Sequence, residues 1–134
     1  MLDTTYLKDL LQTIGNSRYE GIDTGKLVDA SLGQDFDDAD FLKFKYHMDE
    51  MWQAGLVRGR DGPGKNGWGY QGSAPRIMLV PIPLVLSPVG SELLAELQKP
   101  KGLERFKQAI RSVGATAGTE ALKYGIGELL ERTA

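Results

Sequence analysis

Two short phrases, far apart in the chain, constrain its fold more than any other feature. Tyr46-His47-Met48-Asp49-Glu50-Met51-Trp52-Gln53-Ala54-Gly55-Leu56-Val57 reads as the end of an amphipathic helix turning into a strand. Leu86-Ser87-Pro88-Val89-Gly90-Ser91-Glu92-Leu93-Leu94 leaves a strand and opens another helix. Ser87 is a good N-cap and Pro88 occupies the favoured first helical position. Between the phrases lies a stretch rich in glycine (Gly62, Gly64, Gly67, Gly69, Gly72), with Asn66-Gly67 as a tight-turn signal. Ile77 to Leu86 is expected to be extended. Pro81 and Pro83 cannot donate ladder hydrogen bonds, so that stretch is expected at a sheet edge or as a broken strand.

The flanking segments are helical by spacing. Tyr6, Leu7, Leu10, Leu11 and Ile14 recur at helical intervals behind a Thr4 or Thr5 cap, and Gly15-Asn16 supplies a stop. Arg18 to Ile22 is expected as a small edge strand. Asp23 caps a short second helix that ends at Gly33. Asp35, Asp37 or Asp38 opens the third, with Phe41, Phe44, Met48, Met51 and Trp52 as its core stripe. Its other side shows Asp40, Lys43, Tyr46, His47, Glu50 and Gln53, which places His47 on an exposed or half-buried face. Beyond Leu97, Pro100 and Gly102 break the chain before two further helices, about Leu103 to Val113 and Thr116 to Leu130.

The chain has 134 residues, 41% of them hydrophobic and 25% charged, which suits a single soluble globular domain with a real core. No cysteine is present, so disulfides, thiolate catalysis and cysteine zinc sites are excluded together. The first residues lack the pattern of a secretion signal, and the longest apolar run is too short for a bilayer; no membrane partner and a cytoplasmic location are expected. A net charge of -2 hides an asymmetry. Residues 1–54 carry 5 Lys/Arg against 11 Asp/Glu, whereas residues 55–134 carry 11 against 7.

The frame of Ala54-Gly55-Leu56-Val57 followed by Leu86-Ser87-Pro88-Val89-Gly90 and Leu93-Leu94 resembles the winged helix-turn-helix class, including bacterial transcription regulators. The stretch from Tyr46 to Val57 is similar to one narrower group, an uncharacterised winged-helix family of phage and prophage genomes. The small-residue run Gly114 to Gly118 leading to Ala121-Leu122-Lys123 is similar to that family's C-terminal helix. The resemblance implies a mainly α fold with a small β wing: a winged-helix core over 1–98 with a glycine-rich wing at 57–86, and a C-terminal helical extension of the same domain over 99–134.

Chemistry is sparse. Gly62-Pro63-Gly64-Lys65-Asn66-Gly67 matches a dinucleotide fingerprint literally, but that motif requires a following helix to hold the pyrophosphate, and Trp68-Gly69-Tyr70 follows instead. Asp35 to Asp40 invites a calcium reading, yet the sixth and twelfth places hold Asp40 and Tyr46 rather than glycine and glutamate. Helix capping explains these aspartates better. His47 is the lone histidine, with no partner for zinc and no nucleophile beside it. No metal, cofactor or catalytic residue is therefore expected. Gly114 and Gly118, four apart, suggest a close helix contact, within the chain or across a homodimer.

Two functions remain. The favoured one is a non-enzymatic module that binds a host protein through Asp35, Asp37, Asp38, Asp40, Lys43, Tyr46, His47 and Glu50. The alternative is a regulator binding double-stranded DNA through Lys43, Lys45 and a basic wing: Arg58, Arg60, Lys65, Trp68 and Arg76. Aromatics among bases could stack on nucleotides, or Trp68 and Tyr70 could instead pin the wing to the body. Four aspartates at the start of a reading helix would be repelled by phosphate, which favours the protein partner.

Overall fold

The computed structural model describes residues 2–62, 67–73, 76–114 and 118–130. Helices dominate it: α1 (Thr4–Gly15), α2 (Thr24–Leu32), α3 (Asp38–Gln53), α4 (Pro88–Gln98), α5 (Gly102–Val113) and α6 (Gly118–Leu130). The strands are β1 (Ile22–Asp23), β2 (Val57–Gly59), β3 (Tyr70–Ser73), β4 (Arg76–Leu79) and β5 (Pro83–Leu86). A small antiparallel sheet has the order β1-β5-β2, and β3 pairs with β4 as a separate hairpin.

Local chemistry sets most boundaries. Asp3, not Thr4 or Thr5, caps α1, because its carboxylate accepts the Tyr6 N–H at 3.1 Å. Asp23 accepts the Gly25 N–H to open α2, and Gly33 closes it at φ +76°. Asp37 opens α3 with a reciprocal box: its side chain takes the Asp40 N–H at 2.8 Å and Asp40 takes the Asp37 N–H at 3.3 Å.

The two diagnostic phrases are held against each other. The Ser87 N–H donates to the Leu56 carbonyl at 2.9 Å, and the Ser87 hydroxyl donates to the Gly55 carbonyl at 2.5 Å. The same hydroxyl accepts the Gly90 N–H at 3.0 Å as the cap of α4. A Cβ at residue 90 would lie 2.1 Å from the Leu56 oxygen, so only glycine lets the first turn of α4 reach the start of β2.

Two strand expectations need correction. Arg18 to Glu20 is a turn, Arg18 standing at φ +54°, and only Ile22 and Asp23 pair with β5. The apolar run is indeed broken, at Val80-Pro81-Ile82, but its second half is the central strand of the sheet. Pro83 is tolerated there as a first strand residue. Its carbonyl still accepts the Arg60 N–H, and the neighbouring Ile82 carbonyl accepts the Thr24 N–H.

One buried cluster joins every helix: Leu7, Leu11 and Ile14 from α1, Leu27 from α2, Phe44, Met48 and Met51 from α3, Leu93 and Leu97 from α4, Phe106 from α5, Leu122 and Leu129 from α6. Phe41 and Trp52 of the expected α3 stripe are half-buried at its margin. α6 packs on α5, α4 and α3. Gly114 and Gly118 do not share a helix; the first ends α5 and the second begins α6. The close approach is at Gly125, where a Cβ would meet the Phe106 ring at 2.7 Å.

Candidate functional site

The acidic front is where the sequence puts it. Asp35, Asp37, Asp38 and Asp40 are all exposed, on the loop after α2 and the first turn of α3. Asp37 and Asp40 are occupied with capping, and the negative charge there complements the helix dipole. Asp35 and Asp38 carry no ion pair among the described residues. Two apolar side chains stand with them: Phe36, 39% exposed and stacked on Phe41 at 6.2 Å, and Leu42, 51% exposed. Exposed apolar groups beside unpaired carboxylates form a surface that can take up a basic, partly apolar counterpart.

The rest of the expected protein-binding set is only partly available. Lys43 bridges to Asp3 at 3.0 Å and its ammonium lies over the Tyr6 ring at 4.6 Å. The Tyr6 N–H and the Lys43 ammonium hold the Asp3 carboxyl below its usual range. Tyr46 is half-buried, and its hydroxyl is pushed up by burial and by nearby Glu50. His47 is not on an open face: only 1% of it is exposed. The Asp3 backbone N–H donates to His47 Nε2 at 2.9 Å, and Nδ1 lies 2.8 Å from the Lys43 carbonyl. That arrangement requires a neutral ring with its proton on Nδ1, and burial lowers its pKa accordingly. The ring ties the beginning of α1 to the middle of α3. Glu50 is likewise engaged, since the Thr119 hydroxyl in the first turn of α6 donates to it.

The expected nucleic-acid set fares worse. Trp68 is 0% exposed and meets Phe44 edge-on at 5.7 Å, so it cannot stack on a base. Its indole N–H donates to Asp49 at 2.7 Å, and the other oxygen of Asp49 pairs with Lys45 at 2.7 Å. Lys45 also covers the Tyr70 ring at 4.9 Å. The segment leading into β3 is thus fastened onto α3 by Trp68 and Tyr70, which bears out the reading in which these aromatics pin it to the body rather than the one in which they stack on nucleotides. Gly69 completes the contact: at φ +109° a Cβ there would lie 2.4 Å from the Thr24 hydroxyl, which itself donates to the Trp68 carbonyl at 2.9 Å. Gly67 to Gly69 turn into strand β3 rather than a helix, so the glycine fingerprint lacks its anion-holding element. Lys65 and the Arg76 side chain lie outside the described residues. Arg58 and Arg60 are exposed on and just after β2.

Arg58 and Arg60 have neighbours that the sequence did not single out. Arg18 and Tyr19, from the α1–β1 turn, border the same open groove, whose floor includes Val85, Leu86 and Pro88. Arg60 chelates Asp61 and donates to the Glu20 carbonyl. Nothing in the local sequence around Arg18 signals this meeting, because it depends on β5 lying beside β2. Among the described residues no three His, Asp or Glu side chains converge in a way that could hold a metal ion, and no helix is long and apolar enough to cross a membrane. Comparison with protein-family models, with curated proteins and with solved structures finds no match for this chain.

Proposed function

We propose that this chain is a non-enzymatic winged-helix binding module, of the kind phages and prophages encode, which docks its acidic front on a basic, partly apolar surface of a host protein. The observation that carries the reading is the exposed group of Asp35, Asp38, Phe36 and Leu42 at the start of α3. Carboxylates that carry no ion pair among the described residues steer a basic surface inward, and exposed apolar side chains supply contact area.

The winged-helix assignment draws support from the order of elements. Three helices with a short strand between the first two precede β2; the β3–β4 hairpin intervenes; β5 then returns to sit between β1 and β2. The duplex-binding alternative has weaker support. Its recognition helix would present Asp37, Asp38 and Asp40 to phosphates, and Lys43, Lys45 and Trp68 are taken up by internal contacts.

The test should spare the cap. Reversing Asp37 or Asp40 would break the box that opens α3, so the informative variant is Asp35→Lys with Asp38→Lys. With a bacterial lysate as prey, the wild-type chain is expected to retain a defined host protein that the double variant loses, while both melt at the same temperature. Undiminished capture by the variant, or tighter retention of duplex DNA in a salt titration, would reject the acidic front as the functional surface.

A further inference from the structure

We propose that the groove between the α1–β1 turn, strands β2 and β5, and the first turn of α4 is a second docking site, for an acidic extended peptide segment of a partner protein that carries an apolar side chain. The groove encloses about 720 Å³, within the range of sites that bind drug-sized ligands. Its floor is apolar: Val85 and Leu86 from β5, with Pro88 at the entry to α4. Its rim is cationic, with Arg18, Arg58 and Arg60 drawn from two segments distant in sequence.

Two observations point to a ligand. The guanidinium groups of Arg18 and Arg58 make no ion pair or hydrogen bond with any described residue, although both residues border the groove. Tyr19, which borders the same groove, is 93% exposed, so most of its aromatic surface is open to solvent. Guanidinium groups recognise carboxylates bidentately, and clusters of them are a recurring way of reading acidic motifs.

Charge complementarity selects the occupant. Arg60 is already chelated by Asp61 and feels the nearby Glu20, so among the described residues the three arginines leave a local excess of about one positive charge. Such an excess suits a segment with one or two carboxylates. It is too small for a nucleic-acid strand, whose regularly spaced phosphates call for a row of cations. The apolar floor adds a place for a side chain that a sugar-phosphate backbone does not have.

This site does not depend on the acidic front. The 16 residues of α3 span about 24 Å, separating its acidic first turn from β2. The experiment is fluorescence anisotropy with three labelled probes: a short peptide alternating Asp with Leu and Phe, the same peptide with Lys for Asp, and a short oligothymidylate. The acidic peptide is expected to bind, and Arg58→Glu and Arg18→Glu each to weaken it about tenfold without changing the melting temperature. Asp35→Lys with Asp38→Lys should leave that binding unchanged, so failure at one surface is separable from failure at the other. The proposal is overturned if the acidic peptide does not bind, if Arg58→Glu has no effect, or if the lysine peptide or the oligothymidylate binds more tightly. Sedimentation provides a further arm. Self-association that is lost in both Arg58→Glu and Asp35→Lys would give the groove to the acidic front of a second copy, and would equally overturn a separate partner.

Discussion

His47 shows how far one buried ring can differ from its place on a helical wheel. Residues 40, 43, 47 and 50 share one side of α3, and periodicity alone would give that side to solvent. Helix α1 covers it at one point, where Tyr6 tilts over the imidazole at 4.8 Å and Asp3 supplies a backbone donor. The consequence is a pH dependence with a definite sign. The folded ring resists protonation because it is buried and Nε2 already accepts the Asp3 N–H; the unfolded ring protonates near its ordinary value of 6.5. The unfolded chain therefore binds more protons in this window, and stability is lost as pH falls below about 6.5 towards the depressed folded value. The neighbouring charges, Asp3 and Lys43, act on the ring in opposite directions and do not reverse this. Thermal melts between pH 7.5 and 5 should show the loss, and His47→Phe should flatten it while lowering stability at neutral pH. A second residue tests the same helix pair. The Tyr6 hydroxyl is buried without a hydrogen-bond partner among the described residues. Tyr6→Phe keeps the ring beneath the Lys43 ammonium and removes the orphaned group, so denaturant melts should show no loss and a gain of up to about 1 kcal/mol.

At the scale of elements, the legible parts were those whose chemistry is local. Asp23 and Ser87 are read correctly as caps and Gly33 as a stop, and Asp37 is one of the three candidates for opening α3, because caps and positive-φ stops are fixed within a few residues. The apolar run from Ile77 to Leu86 was harder. Its prolines imply an edge, yet β5 is central, because Pro83 is the first residue of the strand and β1 needs only two residues to pair with it. The junction of β2 with α4 carries the most stringent expectation. Ser87→Ala removes the cap of α4 together with the bond to the Gly55 carbonyl, a loss of about 1–2 kcal/mol. Gly90→Ala should cost more, about 3 kcal/mol or above, since its methyl would press on a backbone carbonyl that cannot yield without moving β2. Urea unfolding of the two variants checks the order. A Gly90→Ala protein as stable as the wild type would mean the two phrases are not in contact.

Across the whole molecule, charge is divided between the two ends of α3, acidic at its start and arginine-rich beside the strand that follows it. The acidic end was visible in the sequence because its four aspartates fall within six positions at a helix start, where two of them cap α3. The basic groove was not, since Arg18 and Arg58 belong to different elements and meet only through the sheet. The same limit applies to the wing. Trp68 and Tyr70 pack on the body, as one of the two readings of these aromatics has it, but their partners Lys45 and Asp49 on α3 could not be picked out from the sequence. That attachment can be tested by separating its two halves. Asp49→Asn keeps a carbonyl oxygen for the Trp68 indole and loses only a partly exposed ion pair with Lys45, a cost of up to about 1 kcal/mol. Asp49→Ala leaves the indole N–H buried and unsatisfied, a cost of about 1–3 kcal/mol. Hydrogen exchange distinguishes detachment of the wing from general weakening. In Asp49→Ala, protection should fall selectively in β3 and β4, while α1 and α4 stay protected to the extent that global stability allows. Equal loss of protection in α4 and in the hairpin would show that the wing and body unfold as one unit, and that this contact does not fasten one to the other.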